Sequence, residues 1–389
     1  MTDAAKADGS RNGSNEQAQV EFALMGHPST YAHMGDIIQH SSPSYSDEKL
    51  RKYEATLSKF FEWMPSYAAR NPLSMTGPDG QRLEGRLIIC TFLPDKMTSP
   101  RHMLNAYKKI RDGCVLAQEL GAKVVGLGGF TSIMDGSQGE KIGEDLEVAV
   151  TSGNSLTAAL AVAQVEALLA RLGWDLADHM VAVLGGTGDI GKACALSLAR
   201  RARRMLVVGR NAAKLEAFRA EMPPHVQLHT STNVQDATEA SVIIAATSAS
   251  QPVLSEADLR PGTIVCDVGY PKNMSYSPDP RPDVLVISGG LAEMPSDMDI
   301  RYLTRLPTAR LMYGCFSEAM VLAMSGRYER FSTGQGRITQ EKMDSILELA
   351  RANGFAPAPP YRGSLPVTDE MIETFLGLSS GLLPEGAMR

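Results

Sequence analysis

Short runs of consecutive apolar residues recur along the chain at 22–25, 86–92, 123–127, 181–184, 205–208, 242–246, 263–267 and 284–288, each soon followed by glycine, proline or small polar residues. Runs of this length with little alternation mark strands buried on both faces, as in parallel sheets. Between several of them the apolar residues fall at helical spacing. Leu50, Tyr53, Leu57, Phe60 and Phe61 predict a helix over 47–64, and 105–120 reads as another, with Gly121 suited to end it. A long apolar helix follows over 155–172, which Asn154 or Ser155 can cap. Strand and helix then alternate, which predicts a doubly wound parallel sheet. Helices are expected over 308–325 and 339–353, and one short helix at 368–378 in a segment rich in proline and glycine.

The fold class is therefore α/β: a Rossmann-type doubly wound parallel domain, an N-terminal α/β substrate domain and C-terminal helices. The expected divisions are a disordered tail over 1–19, the substrate domain with its linking helix over 20–176, the dinucleotide-binding domain over 177–300, the C-terminal helices over 301–355 and a tail over 356–389. The composition of the 389 residues, 43% hydrophobic and 21% charged, is that of an ordinary globular chain. A net charge of −6 gives no general pull toward nucleic acid or an anionic membrane. Five cysteines lie far apart with no C-x-x-C pair, so neither a zinc knuckle nor a disulfide framework is indicated, and no metal site is expected. A reducing cytoplasm suits them. No signal peptide is visible, no internal repeat is found, and Gln164 and Glu166 interrupt the most apolar stretch, so no membrane span is expected.

The richest local pattern is VAVLGGTGDIG at 181–191. An apolar strand runs into a glycine turn and then into a helix, the context in which G-x-G-x-x-G holds a pyrophosphate at a helix N-terminus. Gly186, Thr187, Gly188, Asp189, Ile190 and Gly191 form the expected phosphate loop. The next strand ends in Arg210 and Asn211 where an NAD-selective fold has an acidic residue, and Lys214 lies one helical turn on. A guanidinium suits a 2′-phosphate, which predicts NADPH over NADH. Later strands end in Thr247-Ser248, in the Gly269 loop and at Gly289, where open α/β sheets place their ligands.

Three residues outside that loop are candidates for chemistry. Cys315 can hold an acyl group as a thioester. If its helix begins just after Pro307, however, it lies two turns in, and the residues alone favour a buried structural cysteine. The other four cysteines read as structural. His27, at a strand end, is a general base or a turn cap. Lys272 binds a phosphate or sits in solvent. Two basic clusters could receive an acidic partner: Arg200, Arg201, Arg203 and Arg204, then Lys108, Lys109 and Arg111.

The segments FALMGH (22–27), CTFLP (90–94), LGGFTSI (127–133), TSGNS (151–155), GDIG (188–191), GYPKN (269–273), GCFSEAM (314–320) and ITQEKM (338–343) together resemble, in order, the long-chain acyl-[acyl-carrier-protein] reductases of the cyanobacterial alkane pathway. The resemblance implies NADPH-dependent reduction of a fatty acyl thioester to an aldehyde. It implies that Cys315, within GCF, is the active-site cysteine, reversing the reading above. Acyl carrier protein or acyl-CoA would be the acyl donor, Ser132 or backbone amides would steady an oxyanion, and an aldehyde-using enzyme could follow. The chain departs from the family at its two ends and over 135–150, which leaves the acyl chain length open. Two other classes stand beside this one. The first is an NADP-dependent alcohol or amino-acid dehydrogenase with a structural Cys315. The second is a nonenzymatic NADPH-binding protein.

Overall fold

A computed structural model describes residues 19–42, 46–94, 99–133, 142–143, 145–333 and 337–379, without the side chain of Asp47. The expected N-terminal tail, part of 135–150 and the last ten residues lie outside them.

The apolar runs become two sheets. In the first, the order is β2-β4-β1-β5-β6, with β3 also on β4. The elements are β1 (Val20–Gly26), β2 (Tyr67–Ala68), β3 (Leu73–Thr76), β4 (Arg82–Ile89), β5 (Val124–Leu127) and β6 (Ala149–Thr151). β1, β4, β5 and β6 run parallel, so their carboxyl ends gather at one edge. β2 and β3 pair antiparallel with β4. Helix α1 (Tyr31–Ser41) starts where the Thr30 side chain accepts from the His33 amide. The expected helix over 47–64 breaks at Tyr53 into α2 (Asp47–Lys52) and α3 (Glu54–Trp63). Helix α4 (Pro100–Glu119) crosses from β4 to β5, with Pro100 in its first turn and Ser99 as its cap.

Helix α5 (Asn154–Leu172) joins the two sheets. By length and composition it could cross a membrane, but 67% of its apolar window is buried inside the protein. Its expected cap is different. Gly153, with φ +67°, holds that position without a side chain, because Asn154 instead donates to Asp189. Gln164 belongs in this apolar helix because it accepts from the Gly290 amide at 2.8 Å and donates to Ala358 O at 3.2 Å.

The second sheet is all parallel, in the order β14-β12-β10-β7-β8-β9. Its strands are β7 (Met180–Leu184), β8 (Arg204–Val208), β9 (Gln227–Ser231), β10 (Val242–Ala245), β12 (Thr263–Asp267) and β14 (Val284–Ser288). This is the doubly wound dinucleotide-binding order, with the switch point beside β7. Helices α6 (Asp189–Leu198) and α7 (Ala212–Arg219) follow β7 and β8, and short β11 (Leu254–Ser255) pairs β13 (Met274–Ser275). β9 has no apolar run. It is a half-exposed edge strand of sequence QLHTS and was not expected.

The C-terminal third differs most from expectation. β15 (Leu291–Glu293) pairs with β16 (Leu311–Tyr313) and β17 (Ala356–Pro357). After α8 (Arg301–Thr304), residues 311–313 are thus strand rather than helix, and α9 starts only at Gly314 (Gly314–Met324). α9 packs on β5, β1 and α5, within the core of the first sheet. After α10 (Gln340–Ala352), residues 356–379 are packed rather than a tail. β18 (Tyr361–Arg362) and β19 (Leu365–Pro366) form a hairpin, and α11 (Asp369–Ser379) buries Phe375 against Trp174.

Candidate active site

At the end of β7 the chain must turn sharply into α6. Gly185 does this at φ +74°, and a Cβ there would lie 2.4 Å from Ala246 O. Gly188 caps α6 without a side chain, which leaves the amides of its first turn for a ligand. A cavity of about 420 Å³ opens in front of this turn. Thr187, Gly188, Asp189 and Ile190 line it, with Arg210 just past β8, Lys214 in the first turn of α7, and Thr247, Ser248, Gly269 and Gly289 at later strand ends. Gly186 and Gly191 are packing positions. Their Cβ atoms would meet Val207 Cγ1 at 2.4 Å and Gly185 O at 2.3 Å. Asn211 caps α7, accepting from the Lys214 amide, and does not line the cavity. Arg210 makes no ion pair among the described residues, so its charge is unspent.

The opposite wall comes from the first sheet and α9: Gly26, His27, Gly128, Gly129, Ser132 and Cys315. Cys315 is the second residue of α9 rather than two turns in, because β16 occupies the preceding residues. Its backbone lies against the α5 cap. A Cβ on Gly153 would be 2.2 Å from Cys315 Cα. Cys90, Cys114, Cys194 and Cys266 are buried, whereas Cys315 is partly exposed to the cavity. Burial pushes its thiol up to about 11, opposed by hydrogen bonds from the Gly129 and Phe316 backbones. One turn on, the buried Glu318 carboxylate accepts from Thr151 Oγ1, from the Leu156 amide at 3.0 Å and from Ser332 Oγ at 2.9 Å. It thereby ties α9 to β6 and to the start of α5. Burial raises its pKa and these bonds lower it. Asn154 Nδ2 donates to Asp189 Oδ2 at 2.9 Å, which joins this corner to the phosphate turn.

The sequence model of the shikimate / quinate 5-dehydrogenase family matches residues 159–286. The long-chain acyl-[acyl-carrier-protein] reductase of Synechococcus elongatus is 30% identical over 357 residues, 86% of this chain and 98% of that protein. The chain belongs to the long-chain acyl-[acyl-carrier-protein] reductase family. The aminotransferase PigE of a Serratia species is 29% identical over 355 residues, and the match covers 87% of this chain but 40% of PigE. L-tryptophan dehydrogenase from Nostoc punctiforme aligns structurally over 93% of this chain and 90% of its own, at 10% identity and TM-score 0.35. The nucleotide-binding domain of glutamyl-tRNA reductase from Thermoplasma volcanium covers 32% of this chain and 84% of its own, at 20% identity and TM-score 0.25.

This reductase is thus an oxidoreductase whose cofactor is NADPH. The Gly185 turn, the bare first turn of α6 and the two unneutralised cations Arg210 and Lys214 fit that molecule's phosphates.

The other candidates fare differently. His27 lines the cavity, but its Nε2 accepts from the Phe130 amide at 2.9 Å and its Nδ1 meets Pro28 O at 2.9 Å. The ring stacks on Phe92, and burial lowers its pKa to about 4. The geometry is that of a turn cap with no lone pair to spare. Ser132 lines the cavity and donates to Gly129 O at 2.7 Å. Lys272 is not in the lining; it donates to the Asp267 backbone carbonyl at 2.9 Å. Asp267 is buried and accepts from the Gly269, Asn273 and Met274 amides, which holds the whole 269–273 loop. Tyr270 on that loop lines the cavity, its ring edge-on to His27 and Tyr313, and sequence reasoning did not single it out. Glu318 was missed too. Its only signal was a carboxylate three residues after the cysteine, in an otherwise apolar helix.

The first expected basic cluster lies away from this cavity, and of the second only Lys108 is both exposed and outside the bonds that hold Lys109 and Arg111. Arg200, Arg201, Arg203 and Arg204 follow the end of α6 and open β8, at the edge of the second sheet opposite the site. Lys109 is buried, its ammonium bonded to the carbonyls of Phe61, Glu62 and Thr91, and Arg111 pairs with Asp145.

Proposed function

We propose that the reductase takes an acyl group from an acyl-carrier-protein thioester onto Cys315 and releases it as the aldehyde. The observation that carries this reading is the position of Cys315. It is the one cysteine among the described residues that lines the cavity, opposite the phosphate turn and at the first turn of a helix. The dipole of α9 and the Gly129 amide favour the thiolate there. The Cys315 sulfur attacks the thioester carbonyl and the bond to the carrier sulfur breaks. The thiol proton leaves with the carrier thiol, so charge balances. Thioester exchange is nearly isoenergetic, and the site has mainly to orient the carbonyl and support its oxyanion. The backbone amides of Gly129 and Phe316 that bond the Cys315 sulfur are the candidate donors, and Ser132 would join them by turning its hydroxyl away from Gly129 O. NADPH, when bound, supplies the hydride that the acyl-enzyme needs. Collapse of the resulting hemithioacetal anion frees the aldehyde and a Cys315 thiolate, which takes a proton from water to restore the thiol.

The test is intact-mass spectrometry. Protein mixed with acyl carrier thioester and no NADPH is expected to gain one acyl mass on the peptide containing Cys315, and to lose it as aldehyde when NADPH is added. Cys315→Ser is expected to bind NADPH, gain no acyl mass and make no aldehyde. An acyl group on another residue, or near-normal aldehyde formation by Cys315→Ser, overturns the mechanism.

A further inference from the structure

We propose that the carrier docks on the face formed by α3 and the first turns of α4. This rests on the reading that a carrier protein is the acyl donor. The place follows from the topology. β4 ends at Ile89, and the chain passes the Phe92 ring stacked on His27 before α4 begins at Pro100. The start of α4 therefore stands at the cavity edge of the first sheet. β2 pairs antiparallel with β4, Tyr67 opposite Ile89, so the end of α3 is brought to the same edge. Thr91 Oγ1 donates to Met64 O there.

This rim is apolar where a solvent-facing rim should be polar. Trp63 is 86% exposed, Phe60 62%, Leu104 57% and Met103 41%. Large side chains this open, on two helices that the Lys109 ammonium ties together, are the signature of a surface that meets another macromolecule. The face is also held in place. The buried Lys109 ammonium bonds the carbonyls of Phe61 and Glu62 on α3 and of Thr91 beside the cavity, which locks α3 to α4.

Charge selects the partner. Exposed Lys59, Arg101 and Lys108 flank the apolar residues, and Arg51 and Lys52 continue the basic run on α2. Across α2, α3 and the first half of α4 the exposed cations Lys49, Arg51, Lys52, Lys59, Arg101 and Lys108 outnumber Asp47, Glu48, Glu54 and Glu62 by two, in a chain whose net charge is −6. A basic rim around apolar anchors is complementary to a small acidic protein that must bring a thioester to this end of the molecule.

The two tryptophans make this measurable. Trp63 is open, whereas Trp174 is 4% exposed and stacked on His179, so a change in emission on adding carrier protein reports Trp63. Titration of the whole protein with holo-carrier is expected to shift Trp63 emission to the blue, reversibly with salt. In the variant Lys59→Glu, Arg101→Glu, Lys108→Glu, kcat/KM for the acyl carrier is expected to fall on the order of tenfold at low salt. NADPH affinity and reaction with acyl-CoA are expected to hold. An unchanged carrier reaction, or equal losses with both donors, overturns the proposal. So does a Trp63 shift with anionic lipid vesicles and none with carrier, which makes the face a lipid surface. Failure of the Cys315 mechanism would show separately, as no acyl mass on wild-type protein while the Trp63 titration still answers the docking question.

Discussion

Cys315 lies between two opposed effects, burial that raises its pKa and helix-end amides that lower it, and burial prevails. With a pKa near 11 the thiolate is a minute fraction at neutral pH, and it grows about tenfold per pH unit. Alkylation of Cys315 by iodoacetamide is therefore expected to climb steadily from pH 7 to pH 10 without a plateau. A plateau below pH 9 would show that the thiol is ionised far more readily. Arg210 carries a second expectation. Arg210→Ala is expected to weaken NADPH by on the order of 1.5–3 kcal/mol, the worth of a charge-assisted phosphate contact, and NADH far less. Isothermal titration with both cofactors decides it; equal losses remove the 2′-phosphate role. Arg210 was readable in the sequence because strand spacing alone determines its position. The surroundings of Cys315 were not. Leu311-Met312-Tyr313 continues a helical pattern, and only its pairing with β15, on the other side of α8, makes it a strand.

At the scale of elements, the corner where α5 meets α9 sets the reacting geometry. Gly153 leaves no room for a side chain against Cys315, and Glu318 closes the corner from the other side. Gly153→Ala is expected to leave NADPH affinity unchanged while slowing acylation more than tenfold, since at its positive φ the backbone must shift to admit a methyl group. Stopped acylation assays beside cofactor titration separate the two, and parallel loss of both would mark a general folding defect. Glu318→Ala strands the buried Leu156 amide and leaves the Thr151 and Ser332 hydroxyls only Ser332 O and Ser155 Oγ to donate to, and is expected to cost about 2–5 kcal/mol by urea unfolding. A loss under 1 kcal/mol would mean that the corner relaxes. Most elements were visible in the apolar pattern because buried parallel strands have a strong one. β9 escaped because an edge strand needs no apolar run, and the cap of α5 escaped because Asn154 bonds across to Asp189 rather than to its own helix.

Among the described residues, burial favours the neutral form of three histidines, His27, His33 and His179. His27 and His33 are both held near pKa 4 by burial, against an ordinary value of 6.5. The unfolded chain binds their protons first as pH falls, so stability is expected to hold above about pH 6.5 and to drop between there and pH 4, by up to roughly 3 kcal/mol per histidine. Urea midpoints at pH 7.5, 6 and 5 test the sign, and His27→Asn should flatten part of the slope. A flat profile in the wild type would show that neither ring is buried neutral. The two-sheet plan and the cofactor half were foreseeable from 181–191 and the strand spacing. That the C-terminal segments complete both cores was not, because the contacts of α9 with β1 and of Phe375 with Trp174 join residues hundreds of positions apart.

The covering of β1 and β5 by α9 has a consequence for synthesis. A nascent chain that has reached residue 176 holds every strand of its first sheet, yet the apolar face that α9 will cover is open. At ordinary elongation rates the missing helix arrives roughly ten to thirty seconds later. For that interval the ribosome-bound chain offers Leu24, Leu87 and Val124 to whatever is nearby, which makes it a client for a holding chaperone. A transcript truncated before residue 324 leaves a product that never outgrows that dependence, and a fragment of residues 20–176 made alone should aggregate rather than fold.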